Sequence, residues 1–181
     1  MIIVRQKDKY LQITVHKKFC STSRKDLLDQ INKLSEIQFP LITKCDKLLI
    51  FWTLEDLRLG LYDTNPPTRI CCPLPFYHTF SNTGIVISSA VSLTTLVCPA
   101  EFFNAEDTLR AVKTEKCNVL DATPTMFIDM LHHPRLAEFD LSTLRVGVAG
   151  GAPMPHAVAL QVAEKLHIPQ ILVNSLFIFF V

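Results

Sequence analysis

Short apolar runs alternate with helical patterns between residues 69 and 173, and this alternation constrains the fold of the 181-residue chain most strongly. The helical patterns are about ten residues long. Strands that alternate with helices of this length form βαβ units, whose strands are parallel. The chain is therefore predicted to be an α/β protein with a mostly parallel sheet and flanking helices. The predicted strands are residues 69–72, 92–98, 119–122, 144–149 and 168–173.

Capping residues mark the starts of two predicted helices. Asn104 precedes a pattern with two acids in its first turn and two lysines in its last, which predicts a helix over 104–116. Thr123 is a predicted cap, and Pro124 takes the first position of a helix that ends near His132. Further helices are predicted at 80–89 and 155–166, with a tight turn at 150–153.

The N-terminal third follows a different pattern. Residues 2–15 are predicted to form two short strands, and the breaker-rich segment 63–67 is a predicted linker. We place the main boundary near residues 57–66. Residues 1–57 form a first segment, 58–173 the α/β domain and 174–181 an apolar tail. The first segment is also predicted to hold helices at 23–34 and 54–61 and a strand at 48–52.

Composition excludes several classes of protein. With 18 basic and 17 acidic residues the net charge is +1, which argues against nucleic-acid binding through bulk charge. The 49% of hydrophobic residues argues against disorder. Six cysteines without CxxC spacing indicate buried reduced thiols in an intracellular protein. The uncharged stretch 84–100 is interrupted by serines, threonines and a proline, so it is predicted to be a buried helix leading into a strand rather than a membrane span.

Two segments follow predicted strands, where ligands bind in parallel sheets. His78 lies among prolines and aromatics, and it could equally be a packed, hydrogen-bonded histidine. The turn 150–153 contains two glycines before a helix, and it could equally be a plain connection. Neither Asp121 with Asp129 nor His132 with His133 has the partners needed for acid–base catalysis or metal binding. No catalytic residue and no metal ligand is predicted.

Four motifs in order carry a family resemblance. They are Cys-Pro-Leu-Pro-Phe-Tyr-His-Thr-Phe at 72–80, Ala-Thr-Pro-Thr-Met-Phe-Ile-Asp-Met-Leu at 122–131, Asp-Leu-Ser-Thr-Leu-Arg at 140–145 and Gly-Ala-Pro-Met-Pro at 151–155. Together they resemble the acyl-CoA synthetase branch of the adenylate-forming, AMP-binding enzymes, and most closely the mitochondrial medium-chain synthetases of the family member 2 group. The resemblance spans residues 58–173 and implies a fragment of the N-terminal domain of these enzymes.

The resemblance implies a function and a set of binding residues. Such enzymes use ATP and Mg²⁺ to convert a medium- or long-chain fatty acid into an acyl-adenylate, and coenzyme A then forms the thioester. It implies that Tyr77 and His78 flank the acyl carboxylate and that Gly151, Ala152 and Pro153 pack against adenine. The residues implied to border the acyl tunnel are Thr123, Pro124, Thr125, Met126, Phe127 and Met130.

The sequence also departs from the family pattern. Residues 1–57 contain no glycine, so the glycine-rich phosphate loop of the family is not there. Ser81 and the pair Asp121–Ala122 stand where the family usually has glycine and Tyr-Gly. The Tyr-Gly-x-Thr-Glu motif and the C-terminal lid domain are not found after Val173. We therefore expect a partial ligase that is inactive by itself, with no functional cofactor. The alternative is a short, non-catalytic acyl- or nucleotide-binding protein, and the resemblance implies a mitochondrial location.

Overall fold

The computed structural model describes residues 2–7, 10–15, 67–78, 80–92 and 94–174. The predictions for the elements between residues 16 and 62, for the boundary at 57–66, and for 175–181 of the apolar tail lie outside the described residues. So do Cys20 and Cys45.

Within the described residues, seven strands form one sheet in the order β1-β2-β4-β3-β5-β6-β7. The five strands from β3 to β7 are parallel, whereas β1 and β2 form an antiparallel hairpin whose strand β2 pairs antiparallel with β4. The α/β class, the mostly parallel sheet and the two strands near the N-terminus are confirmed. The strands are β1 (Ile2–Lys7), β2 (Tyr10–Val15), β3 (Arg69–Cys71), β4 (Thr95–Cys98), β5 (Val119–Ala122), β6 (Val146–Gly150) and β7 (Gln170–Asn174).

Helices connect the parallel strands. The connection from β3 to β4 is a π-helix, Phe80–Ile87, that continues as α1 (Ser88–Ser92). The others are α2 (Ala105–Glu115), α3 (Pro124–Leu131), a 3₁₀ turn (Leu136–Glu138) and α4 (His156–Lys165). The predicted caps are confirmed: Asn104 accepts a hydrogen bond from the backbone N–H of Asp107 at 3.0 Å, and Thr123 accepts one from Met126 at 3.3 Å.

Several element boundaries differ from the predictions by one to three residues, and three of them have local reasons. β4 begins at Thr95 rather than at residue 92 because the backbone N–H of Thr94 donates to the Ser89 carbonyl at 3.1 Å and closes the preceding helix. β6 begins at Val146 because the Leu144 N–H donates to the Leu141 carbonyl at 2.9 Å within a turn. Gly150, predicted to lie in the turn, is instead the last residue of β6 and pairs with Asn174.

The sheet carries a hydrophobic cluster on each face, because successive strand residues point to opposite sides. One face, here called the three-helix face, packs against α2, α3 and α4. The other, the π-helix face, packs against Phe80 and Ile85. The three-helix face contains the fully buried side chains Val97, Leu109, Val112, Leu120, Phe127, Met130, Val162 and Leu166.

Asn118 ties together the amino ends of three strands. Its side-chain oxygen accepts from the backbone N–H of Arg69 at 3.0 Å, and its side-chain nitrogen donates to the Pro67 carbonyl at 3.1 Å. Its own carbonyl accepts from the backbone N–H of Arg145 at 2.9 Å. This end of the sheet is therefore closed by polar contacts, and the opposite, carboxyl end is the one left for a ligand.

The stretch 84–100 is a helix followed by the buried strand β4, as predicted. None of the helices within the described ranges is long and apolar enough to cross a membrane. The four cysteines that the structure describes are free and buried, also as predicted: Cys71, Cys72, Cys98 and Cys117.

Candidate functional site

The strand order predicts a ligand crevice between β3 and β5, which are neighbours in the sheet. The chain leaves β3 towards the helix on the π-helix face, and it leaves β5 towards α3 on the three-helix face. Where adjacent parallel strands send their connections to opposite faces, the two loops separate and leave room for a ligand at the carboxyl ends. The loops here are residues 72–78 and residues 123–124.

The loop after β3 is a tight turn fixed by Ser81. The backbone N–H of His78 donates to the Pro75 carbonyl at 3.2 Å. The hydroxyl of Ser81, which is buried, donates to the same carbonyl and lies 3.0 Å from the carbonyl oxygen of His78. The carbonyl of His78 also accepts from the backbone N–H of Asn82 at 3.0 Å. These bonds hold Tyr77 and His78 at the tip of the turn.

Both predicted carboxylate-flanking rings face solvent. Tyr77 is 82% exposed, and its ring centroid lies 4.7 Å from that of His78 at an interplanar angle of 44°. The alternative of a histidine packed in the core therefore does not hold, because His78 is exposed. An imidazole and a phenol at the tip of a proline-rich turn can both donate hydrogen bonds to an oxyanion.

The loop after β5 begins α3 and presents hydroxyl groups at the same edge. The hydroxyl of Thr123 caps the helix and lies 2.9 Å from that of Thr125. Thr125 is exposed, whereas Met126 is half-buried and packs against the clusters on both faces. Phe127 and Met130 are fully buried on the three-helix face. The structure thus separates the predicted acyl-contacting residues into an edge group and a core group.

The end of β6 brings the third predicted segment to the same place. Gly151 is exposed and has a φ of 83°, a left-handed conformation that glycine adopts without cost. A Cβ built on Gly151 would lie 3.8 Å from the methyl group of Thr123. Ala152 is half-buried and Pro153 is exposed. Gly151, the first of the predicted adenine-contacting residues, therefore lies beside Thr123, the first residue predicted to border the acyl tunnel.

Two residues at this edge were not predicted as parts of the site. Phe80 lies against Gly150, and its only sequence signal was its place at the end of the histidine motif. Asp121 is buried on the π-helix face, where the register places it beside Cys72. Burial raises the pKa of the Cys72 thiol well above its ordinary value, and the charge of Asp121 raises it further. A charged residue within an apolar strand was the signal for Asp121.

The charge at this edge does not match a triphosphate. The described loops at the carboxyl ends, residues 72–78, 99–103, 123–126 and 151–155, contain neither lysine nor arginine. Among the residues that the structure describes, no group of three His, Cys, Asp or Glu side chains is placed to hold a metal ion. The described loops therefore supply neither lysine or arginine side chains for a triphosphate nor a cluster of ligands for Mg²⁺.

Comparison with known proteins decides the family. The AMP-binding enzyme family matches residues 49–175, which is more than two thirds of the chain. The chain belongs to the AMP-binding enzyme family. The matched segment contains all four motifs and every described element from β3 to β7, so the family and the parallel sheet coincide.

Similar proteins agree with this assignment. The mitochondrial medium-chain acyl-CoA ligase ACSF2 of Danio rerio is 38% identical over 118 residues, which is 65% of this chain and 19% of that protein. The N-terminal domain of FACL13 from Mycobacterium tuberculosis is 31% identical, with a TM-score of 0.51 over 60% of this chain and 26% of that one. A red-emitting luciferase from Phrixothrix hirtus has a TM-score of 0.61 at 21% identity, over 71% of this chain and 31% of that one, and shares the fold.

The chain spans about a fifth of the length of the curated relatives that it matches. The AMP-binding segment described above is therefore a part of what those proteins contain.

Proposed function

We propose that this chain supplies the acyl-facing and adenine-facing walls of a fatty acid–CoA ligase. The observation that carries the proposal is the proximity of Gly151 to Thr123 at the carboxyl edge of an AMP-binding sheet: a Cβ built on Gly151 would lie 3.8 Å from the Thr123 methyl group. This proximity places the segment assigned to adenine beside the segment assigned to the acyl chain. An acyl-adenylate contains both groups on one phosphate, so a binding site for it requires two such walls in contact.

Each wall has the chemistry that its proposed ligand requires. The segment of Gly151, Ala152 and Pro153 suits the flat face of adenine, because its residues carry no charge and no side chain larger than a methyl group or a proline ring. Tyr77 and His78, both exposed, are proposed to hydrogen-bond the fatty-acid carboxylate. The medium- or long-chain acyl group is proposed to run along Thr123, Thr125 and Met126 at the edge. The buried Pro124, Phe127 and Met130 are proposed to form the packed wall behind them.

ATP, Mg²⁺ and coenzyme A are the co-substrates and cofactor that the family implies. ATP would supply the adenylate, Mg²⁺ would neutralise phosphate charge, and coenzyme A would take the acyl group. Because the described edge lacks cationic side chains and metal ligands, we assign none of these steps to it. We propose that the 181-residue chain by itself does not form acyl-adenylate, whereas a longer ligase that contains this segment does.

Binding of an acyl-adenylate analogue tests the proposal directly. A non-hydrolysable octanoyl-adenylate analogue should bind saturably to the 181-residue chain by calorimetry. Tyr77→Ala should weaken binding at least tenfold, while Phe102→Ala should leave it unchanged. Phe102 is the matched control, since it is an equally exposed aromatic after the neighbouring strand β4. Equal affinity of the two variants would contradict the assignment of Tyr77.

Activity distinguishes the complete ligase from the alternative. Pyrophosphate exchange with octanoate and ATP should be absent for the isolated chain, and measurable exchange would refute its inactivity. The alternative is a non-catalytic acyl- or nucleotide-binding protein. It is favoured if the analogue binds and the cellular product, detected with an antibody to residues 104–135, has the 20.5 kDa of this chain.

A mitochondrial location is proposed from the ACSF2 relatives, whose names include it. Fractionation of cells should recover the protein with the mitochondrial matrix. Recovery in the cytosol alone would contradict this location and leave the ligand assignments untouched.

A further inference from the structure

The β1–β2 hairpin lies on the sheet but outside the family match. Residues 2–15 form the hairpin, whereas the AMP-binding match begins at residue 49. The hairpin nevertheless pairs with β4, a strand within the matched segment, along four register positions from Leu11↔Cys98 to Thr14↔Thr95. A segment outside the family match therefore pairs along one edge of the strands that the matched segment forms.

The hydrogen bonds of β4 show which of its residues face this edge. The Val97 carbonyl accepts from the Cys72 N–H at 2.9 Å, and the Thr95 N–H donates to the Thr68 carbonyl at 3.1 Å, so both residues face β3. Successive residues of a strand present their backbone groups to opposite sides. Leu96 and Cys98 therefore present theirs to β2, as the register with Ile13 and Leu11 requires.

The register also fixes which residues of β2 face β4. Lys7 pairs with Tyr10 across two intervening residues. In a two-residue hairpin this closing pair is mutually hydrogen-bonded, so Tyr10 faces β1. Alternation then makes Gln12 face β1 and makes Ile13 face Leu96 of β4. The backbone N–H of Ile13 therefore faces β4, whereas the N–H of the neighbouring Gln12 faces β1.

We propose that the β4 edge is a binding site for one antiparallel strand, and that residues 2–15 are its separable ligand. An open strand edge attracts other chains, and pairing with an added strand supplies both affinity and register. The apolar residues at 11, 13 and 15 alternate with polar residues at 12 and 14, which is the pattern of a strand with one apolar face. The paired residues of the hairpin and β4 are more than eighty positions apart along the chain, and covalent attachment raises the local concentration of a strand at the edge that it pairs with.

Binding in trans tests the proposal. A fluorescent peptide of residues 1–17 should bind saturably to a chain that begins at residue 18, and it should not bind the full chain, whose edge is filled. The Ile13→Pro peptide lacks the N–H that serves β4 and should bind at least tenfold more weakly. The Gln12→Pro peptide is the matched control, since it lacks an N–H that serves β1, and its loss should be smaller. Equal binding of the two proline peptides overturns the proposal.

Amide hydrogen exchange on the full chain provides a test that needs no truncation. The N–H groups of Leu96 and Cys98 should be protected in the full chain and in its Gln12→Pro variant. In the Ile13→Pro variant the exchange of these two amides should accelerate at least tenfold. The exchange of the Val97 amide should change less, because the backbone groups of Val97 face β3. Unchanged exchange of Leu96 and Cys98 in Ile13→Pro would overturn the proposal. Neither readout depends on ligase activity or on ligand binding.

Discussion

Gly150 lies directly against the ring of Phe80. A Cβ built on Gly150 would fall 2.8 Å from the Cε1 and Cζ atoms of that ring. Real Cβ atoms do not approach other carbons this closely, so the end of β6 and the start of the π-helix fit together only with glycine at this position. The contact holds the loop after β6 beside the helix that follows the histidine motif.

Replacement of Gly150 by alanine should destabilise the fold by about 1–3 kcal/mol, because the added methyl group displaces a buried ring. Phe80→Leu should recover part of this loss in a double-mutant cycle measured by urea unfolding. Gly151→Ala is the matched control. Its Cβ would have room, but its φ of 83° should still cost about 1 kcal/mol, and Phe80→Leu should recover none of it. Additive effects of Gly150→Ala and Phe80→Leu would contradict the contact.

Ser81→Ala should loosen the turn that carries Tyr77 and His78. The lost hydroxyl leaves the Pro75 carbonyl with the His78 N–H alone, which should cost about 1 kcal/mol. Exchange of the His78 and Asn82 amides should accelerate, and binding of the acyl-adenylate analogue should weaken. Asn82→Ala removes a neighbouring exposed side chain and should change neither quantity. If the amides of His78 and Asn82 exchange in Ser81→Ala at the rates of the unmodified chain, the Ser81 hydroxyl does not fix the turn.

The sequence predicted those elements well whose ends are specified by residues a few positions away. Asn104 and Thr123 cap α2 and α3 because a side-chain oxygen reaches a backbone N–H three residues away. The strand 119–122 was predicted with its observed bounds, because it lies in the short stretch between the helix predicted to end at residue 116 and the capping Thr123. The carboxyl-edge position of the site followed from parallel connectivity alone.

Contacts between distant segments could not be predicted in this way. The pairing of β2 with β4 joins residues more than eighty positions apart, and no periodicity within either strand specifies its partner. The burial of Phe127 and Met130 in the core, beside the edge positions of Thr123 and Thr125, depends on how α3 lies on the sheet. Apolar side chains that pack and apolar side chains that bind a ligand look alike in a sequence, so roles at the acyl wall stay predictions.

The motif at 140–145 carries the family resemblance, yet the structure gives it an architectural role. Asp140 accepts bonds from the backbone and hydroxyl of Ser142, and the hydroxyl of Thr143 donates to the Cys117 carbonyl at 2.7 Å. These contacts form the turn before β6, at the amino end of the sheet and away from the carboxyl edge. A recurring motif therefore need not touch a ligand.

Removal of Arg69 should lower the free energy of unfolding more than removal of the charge of its partner Glu115. The two side chains form an ion pair at 2.7 Å in which the Glu115 side chain is 2% exposed and that of Arg69 is 28% exposed. Arg69→Met leaves a buried carboxylate without its cation and should cost about 3–5 kcal/mol. Glu115→Gln leaves a guanidinium that can reach water and keeps its bond to the Glu115 main-chain carbonyl, so it should cost less. Urea unfolding of both variants measures the difference, and equal losses would contradict the asymmetry.

Asp140 should make the turn before β6 sensitive to acid. The Ser142 hydroxyl, then its backbone N–H and Lys116, lower the pKa of Asp140 from 3.8 to about 2. A lowered pKa in the folded state stabilises the fold above the ordinary pKa, and the contribution is lost as the pH falls from about 4 to 2. Titration of the carboxyl carbon by NMR should show the pKa of Asp140 rising towards 3.8 in Ser142→Ala, with a smaller rise in Lys116→Met. A larger rise in Lys116→Met would show that the ion pair, rather than the Ser142 turn, is the main cause.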